Sequence, residues 1–166
     1  MKGKGMLIKD SISQEIDGIV NIYRDSILRL SYAYLKDIHE AEDVAQEVFV
    51  AYIKSAPAIK NEQKRKAWLL KVTANKCKNL LASARLKNNV ELKDELFYLP
   101  EDDLNVIEYV YALKEKYRIP IHLYYYEGYS IAEIAKLLDV PPATVGTRLS
   151  RARKLLKTAL GDDYNE

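Results

Sequence analysis

Between Thr144 and Lys154, side chains with base- and phosphate-binding chemistry recur at helical spacing: Thr144, Thr147, Arg148, Arg151 and Lys154, with Ser150 beside them. An arginine can bond guanine bidentately, and a threonine can meet a phosphate or a thymine methyl. Val145, Leu149, Ala152 and Leu156 fall on a separate apolar stripe of the same segment. A helix packed by one stripe, with hydroxyls and guanidiniums on the other, has the layout that major-groove reading requires. Just ahead, Ser130 and Glu133 have the spacing of a capping box. Ile131, Ile134, Ala135 and Leu138 would then form a buried face, and Asp139-Val140-Pro141 a short turn. Pro142 suits the first position of the next helix. Together these predict a helix-turn-helix. A plain helical hairpin would account for the basic stripe alone, but cap, turn and both stripes agree on DNA binding.

A second chemical signal lies upstream. Residues 60–87 carry nine bases (Lys60, Lys64, Arg65, Lys66, Lys71, Lys76, Lys78, Arg85, Lys87) against one acid, Glu62. The same block holds Trp68, Asn61, Gln63, Thr73, Asn75 and Asn79. Cations for phosphates, with amides and a ring for bases, suit a nucleic-acid surface. Core packing is the favoured role of Trp68 itself. Residues 37–47 are the opposite: Asp37, Glu40, Glu42, Asp43 and Glu47, with no lysine or arginine. The net charge of +2 therefore hides an acidic face and a strongly basic helix. Either run alone would read as a solvated face.

Catalytic chemistry is poorly represented. Cys77 is the one cysteine, so no disulfide can form within the chain and no cysteine-based metal site is possible. His39 and His122 lie far apart in sequence and read as surface or structural residues. No cluster of metal ligands and no His-based nucleophile pair is visible, so no catalytic residue, metal or cofactor is expected.

The elements that would position these residues are helices. Ile19, Tyr23, Ile27, Leu30 and Tyr34 recur at three- and four-residue steps between Ile16 and Leu35. A second helix is predicted from about His39 to Ser55 on Ala41, Val44, Ala45, Val48 and Tyr52, ended by Pro57. A polar loop, Ala58 to Lys64, leads to a third helix from Arg65 to Lys87, with Trp68, Leu69, Val72, Leu80 and Leu81 as apolar contacts. Residues 88–108 hold seven acids and one base together with Pro100, which reads as a solvated tether. Further helices are predicted over Leu104–Glu115, Ile119–Glu127, Ser130–Leu138 and Pro142–Leu160. The expected fold is all-α: one helical domain over residues 10–88, an acidic linker over 89–103 and a second helical domain over 104–162. The 166 residues, 48% of them hydrophobic, suffice for two small cores. The N-terminal MKGKGMLIKD is basic but lacks the apolar stretch of a signal peptide, and no run of about 18 apolar residues exists, so a cytoplasmic protein is expected.

Three motifs, in this order, resemble the extracytoplasmic-function (ECF) class of bacterial RNA polymerase sigma factors, over about Asp17 to Leu160. Ala41-Glu42-Asp43-Val44-Ala45-Gln46-Glu47-Val48-Phe49 is similar to the family's AED-x-x-QE-x-F helix. The resemblance implies that Glu42, Asp43, Gln46, Glu47 and Val50 dock on the clamp helices of the polymerase's largest subunit. Trp68-Leu69-Leu70-Lys71-Val72-Thr73-Ala74-Asn75 resembles the family's WL-x-x-I-A-x-N helix. That helix and the loop before it engage the melted minus-ten promoter element, which implies roles for Asn61, Lys64, Arg65, Lys66, Lys71, Asn75 and Lys78. Glu133-Ile134-Ala135, Thr144-Val145 and Arg151-Ala152-Arg153 resemble the reader of the minus-thirty-five element, implying roles for Thr144, Thr147, Arg148, Ser150, Arg151 and Lys154.

The implied partners are core RNA polymerase (clamp helices, and the flap of the second-largest subunit), promoter DNA and an anti-sigma factor, in many members membrane-bound. No small-molecule substrate and no catalysis by this chain are implied. The acidic linker would enter the polymerase's basic interior and compete there with nascent RNA. Some positions depart from the family pattern. Asn79 and Ala82 stand where an acid and an arginine are common. Gly146 replaces a longer residue, and Pro141 stands in place of a capping serine. Promoter sequence is therefore not transferable from a relative. An autonomous helix-turn-helix regulator is the rival reading, but it does not explain an acidic helix beside a basic one.

Overall fold

A computed structural model of the chain describes residues 2–55, 58–88 and 106–161. The described residues form seven helices and no strand: α1 (Lys2–Leu35), α2 (Ile38–Ser55), α3 (Glu62–Asn88), α4 (Val106–Ala112), α5 (Glu115–Tyr125), α6 (Ile131–Leu138) and α7 (Pro142–Leu160). The all-α expectation holds. The whole of the predicted linker, 89–103, and the helix end expected at Pro57 lie outside the described residues.

α1, α2 and α3 pack together around the face predicted for α1, where Ile19, Tyr23, Ile27, Leu30 and Tyr34 are buried. Burying a side chain such as Ile27 or Leu30 contributes roughly 1.5–3 kcal/mol. Ala41, Val44, Ala45, Val48 and Tyr52 of α2 close over it as expected. The Asp37 carboxylate starts α2 by accepting from the backbone N–H groups of His39 and Glu40 at 2.9 and 3.0 Å.

Several boundaries and contacts differ from the sequence reading. α1 begins at Lys2, fourteen residues before Ile16, and Met6, Leu7, Ile8 and Ile12 on that extension are exposed. α3 begins at Glu62 rather than Arg65, because Asn61 Oδ1 accepts from the Lys64 N–H at 2.9 Å and caps the helix. Its buried line is Leu69, Leu70, Thr73, Ala74 and Cys77, with Trp68, Val72 and Leu81 half-buried at its edge, whereas Leu80 is 46% exposed. α4 stops at Ala112 and α5 starts at Glu115, so the break falls at Leu113-Lys114 and Pro120 lies inside α5.

α6, the turn at 139–141 and α7 lie where the sequence placed them. Ser130 Oγ accepts from the Glu133 N–H at 3.2 Å, and Glu133 accepts in return from the Ser130 N–H at 2.8 Å. Ile134, Ala135, Leu137 and Leu138 are the buried face of α6. Ile131, predicted inside, is exposed because it opens the helix on the solvent side. Asp139 ends α6 at φ 54°, a left-handed conformation that aspartate tolerates. Pro141 occupies the cap position of α7 without a side-chain bond, and its carbonyl takes the N–H groups of Thr144 and Val145. Val145, Leu149 and Ala152 are buried and Leu156 half-buried, as their stripe requires.

The two helical halves are in contact, α1 against α5 and α3 against α6. Arg118 of α5, 5% exposed, donates to the carbonyl oxygen of Ala33 at the end of α1 and to that of Leu113 at 2.6 Å. A cation at a helix C-terminus meets the negative end of its dipole. Among the described residues no helix is long and apolar enough to cross a membrane.

Candidate nucleic-acid interface

The acidic face of α2 is built by the alternation seen in the sequence. Its apolar residues turn into the core, which leaves Glu42, Asp43, Gln46, Glu47 and Val50 exposed on one surface. Val50 is 48% exposed, an apolar side chain amid carboxylates. Glu47 pairs with Lys76 of α3 at 3.1 Å, a solvated bridge of the kind worth about 0–1 kcal/mol. This surface is preformed and open.

The seven side chains expected at a minus-ten site do not form one free surface. Lys64 and Asn75 are exposed. Asn61 caps α3. Arg65 is tied back to the loop before α3, donating to the Ile59 carbonyl oxygen from Nη2 at 2.7 Å and to the Tyr52 hydroxyl from Nε at 3.1 Å. The other three cations are turned onto the C-terminal half. Lys66 Nζ lies 3.0 Å from the Glu127 carboxylate. Lys71 Nζ lies 3.1 Å from Asp139 and donates to the Lys136 carbonyl oxygen at 3.3 Å. Lys78 donates to the Leu138 carbonyl oxygen at 3.4 Å. Trp68 meets the Tyr52 ring edge-on at 5.8 Å, the core role preferred from sequence.

On α7, Thr147, Ser150, Arg151 and Lys154 are exposed, and Thr144 and Arg148 are half-buried. Thr144, Thr147, Arg148 and Arg151 line one shallow cleft with Lys116 and Tyr117 of α5. Hydroxyls and guanidiniums thus share a concave, cationic surface suited to a sugar–phosphate edge and to base acceptors. Arg148 also lines a smaller cleft with Lys78, Glu115 and Leu138, at the junction of the halves.

The sequence reading took His122 as a surface or structural residue and did not single out Arg118 or Glu127. His122, 3% exposed, stacks on Tyr126 at 5.3 Å. Its Nε2 lies 3.7 Å from Glu127 Oε1. Burial pushes the Glu127 carboxyl up, but His122, Lys66 and Ser26 outweigh burial and hold it at about 2. Glu127 lies two residues beyond the end of α5, before Gly128, whose φ of 72° is a left-handed turn. In sequence it looks like any solvated helix end; only the tertiary contacts make it special. Cys77 is fully buried, and burial pushes its thiol up to about 12, away from reactivity. Among the described residues no group of three or more His, Cys, Asp or Glu side chains could hold a metal ion.

The described helices thus present two separate surfaces, an acidic face on α2 and a cationic cleft on α7. The family pattern of Sigma-70 region 2 matches residues 19–86, and that of Sigma-70, region 4 matches residues 104–156. The ECF RNA polymerase sigma factor SigW of Bacillus subtilis strain 168 is 31% identical over 184 aligned residues, covering 95% of this chain and 98% of its own. The RNA polymerase sigma-H factor of Pseudomonas aeruginosa is 29% identical, over 87% of this chain and 85% of its own. The chain is a member of the ECF class of the sigma-70 family of RNA polymerase sigma factors. Two solved structures share the fold. The sigma factor RpoE in complex with the anti-sigma factor NepR from Bartonella quintana has a TM-score of 0.69 at 19% identity, over 90% of this chain and 99% of that one. CnrH in complex with the cytosolic domain of CnrY has a TM-score of 0.65 at 22% identity, over 91% and 90%.

Proposed function

We propose that this chain binds core RNA polymerase and carries it to specific promoters, where it helps to open the duplex. The observation that carries this reading is the match of both sigma regions on one chain, combined with an open acidic face on α2 and a helix-turn-helix at α6–α7. Glu42, Asp43, Gln46, Glu47 and Val50 dock on the clamp helices of the largest subunit, and the flap of the second-largest subunit is a further contact. Residues 10–88 act as the docking and minus-ten unit, 104–162 as the minus-thirty-five unit, and 89–103 as the acidic linker between them. Lys64, Lys66, Lys71, Asn75 and Lys78 engage the opened minus-ten strand. Asn61 and Arg65 support the loop that presents it. Thr144, Thr147, Arg148, Ser150, Arg151 and Lys154 read the upstream element and its phosphates. The chain performs no chemistry of its own, since RNA synthesis belongs to the polymerase, and it works in the cytoplasm. An anti-sigma partner fits the company that the similar structures keep.

The test is transcription in vitro from a library of genomic fragments, with core polymerase and with or without the chain. A discrete set of new start sites that depends on the chain supports the reading. A transcript set unchanged by the chain contradicts it.

A further inference from the structure

Glu127 is the most deeply placed charge among the ion pairs, with a side chain only 1% exposed. Its burial is not made within its own half. From α3, Lys66 Nζ reaches its Oε2 at 3.0 Å, and from α1 the Ser26 hydroxyl donates to the same oxygen at 3.0 Å. Arg29 of α1 lies 3.6 Å from Oε1 and donates to Ser26 Oγ at 3.3 Å, which links the cluster. The remaining neighbour, His122 on the same side of the junction, lies 3.7 Å from Oε1. A carboxylate out of water is tolerated only when charge and hydrogen bonds surround it. Lys66, Ser26 and Arg29 supply that compensation from across the junction and His122 from Glu127's own half, so opening the halves would remove three of the four partners.

Closure engages cations of the candidate minus-ten surface. Lys66 is engaged by Glu127, Lys71 by Asp139 and the Lys136 carbonyl, and Lys78 by the Leu138 carbonyl at the C-terminal end of α6. Two candidate minus-ten cations are thereby paired with carboxylates, and a third is hydrogen-bonded, by the half of the chain that carries α6 and α7. The same closed form cannot span a promoter. Elements centred about 25 base pairs apart are separated by roughly 85 Å of duplex at 3.4 Å per base pair. Yet α3 and α6 touch, with Lys71 3.1 Å from Asp139.

We propose that Glu127 is an autoinhibitory clasp: its ionic cluster with Lys66, Ser26 and Arg29 holds the free chain in a closed form that masks its own basic helix, and promoter engagement requires the clasp to release. The masking half of this proposal rests on the sigma reading of α3; the closure half does not. Buried ionic groups of this kind contribute specificity of arrangement more than net stability, which is what a releasable contact requires.

Small-angle scattering and DNA binding by the full chain, without polymerase, test it. The wild type should scatter as a compact particle, near the radius of gyration of about 15 Å that a compact chain of its length has. Glu127→Ala and the isosteric Glu127→Gln should both expand, with helix content by circular dichroism unchanged. Both should bind a fluorescein-labelled single-stranded oligodeoxynucleotide more tightly than wild type at low salt, by about tenfold if the clasp leaves one molecule in ten open. The double variant Glu127→Lys with Lys66→Glu should restore the compact radius. Should Glu127→Ala lose its helices, Glu127→Gln decides. Variants as compact as the wild type would overturn the clasp, and expansion without a gain in DNA affinity would overturn the masking. Failure of the sigma reading shows elsewhere, as wild-type chain that gives core polymerase no new start sites while the radii still respond.

Discussion

At the scale of single residues, the acidic face of α2 and the cationic face of α7 make separable claims. Asp43 and Glu47 are exposed and take no part in the core, so reversing their charges should leave the fold intact. Glu47 loses only its solvated bridge to Lys76. The double variant Asp43→Lys, Glu47→Lys should bind core polymerase at least about tenfold more weakly in a titration, because like charges then face each other across the contact. Equal affinity would place the docking surface elsewhere. On α7, Arg148→Ala should change which upstream elements are used, since a lost bidentate arginine–guanine contact costs about 1–3 kcal/mol at one base pair. Lys157 lies nine residues on, about 13 Å along the helix, and its removal should act on all promoters alike. Transcription across promoters randomised upstream separates the two. A uniform loss with Arg148→Ala would make that residue a phosphate clamp and move base reading to Thr144, Thr147 or Arg151.

At the scale of elements, the recognition helix carries a local weakness. Gly146 sits inside α7, and a Cβ added there would meet nothing within 4 Å. Glycine costs a helix interior about 1 kcal/mol relative to alanine. Gly146→Ala should therefore raise the melting temperature by about 2–4 °C in a thermal scan; a lower melting temperature would mean that the backbone needs the glycine. The helices themselves were legible because their apolar positions repeat locally: α2 and the α6–α7 pair match their predicted faces almost residue for residue. What escaped was set by contacts that the helical period does not encode. Asn61 and Arg65 were read as DNA contacts, and the sequence did not show that they also cap α3 and hold the loop before it, because the side chains that bind phosphates and bases do both. Leu80 and Ile131 fit the helical period but fall where no neighbouring element covers them. Arg118 and Glu127 gave no signal in the helical pattern, since several of their partners, Ala33 and Ser26 among them, are in the other half of the chain.

At the scale of the whole molecule, charge segregation explains both closure and release. The basic α3 finds internal anions and carbonyls when free and would find phosphates when docked. The pH response of the closed form follows from Glu127. Its carboxyl titrates at about 2 when buried, against an ordinary 4.5 once exposed. The depressed value favours closure fully above 4.5 and loses that preference as pH falls towards 2. Around it stand Ser26 and Arg29 from α1, Lys66 from α3, and His122 and Tyr129 from its own half. Scattering at pH 7 and pH 5 should give the same compact radius. Expansion between those two values would assign closure to a group other than Glu127.

The central claim is that specific promoter binding belongs to the complex of this chain with polymerase and not to the chain alone. It is tested most directly by footprinting one promoter, taken from the transcription library, with the purified chain, with core polymerase, and with both. Weak, unspecific binding is expected of the chain alone. With polymerase present, protection of both promoter elements is expected, with permanganate-reactive thymines at the minus-ten element. Tight, sequence-specific duplex binding by the chain alone, unaltered by polymerase, would contradict it and favour an autonomous helix-turn-helix regulator.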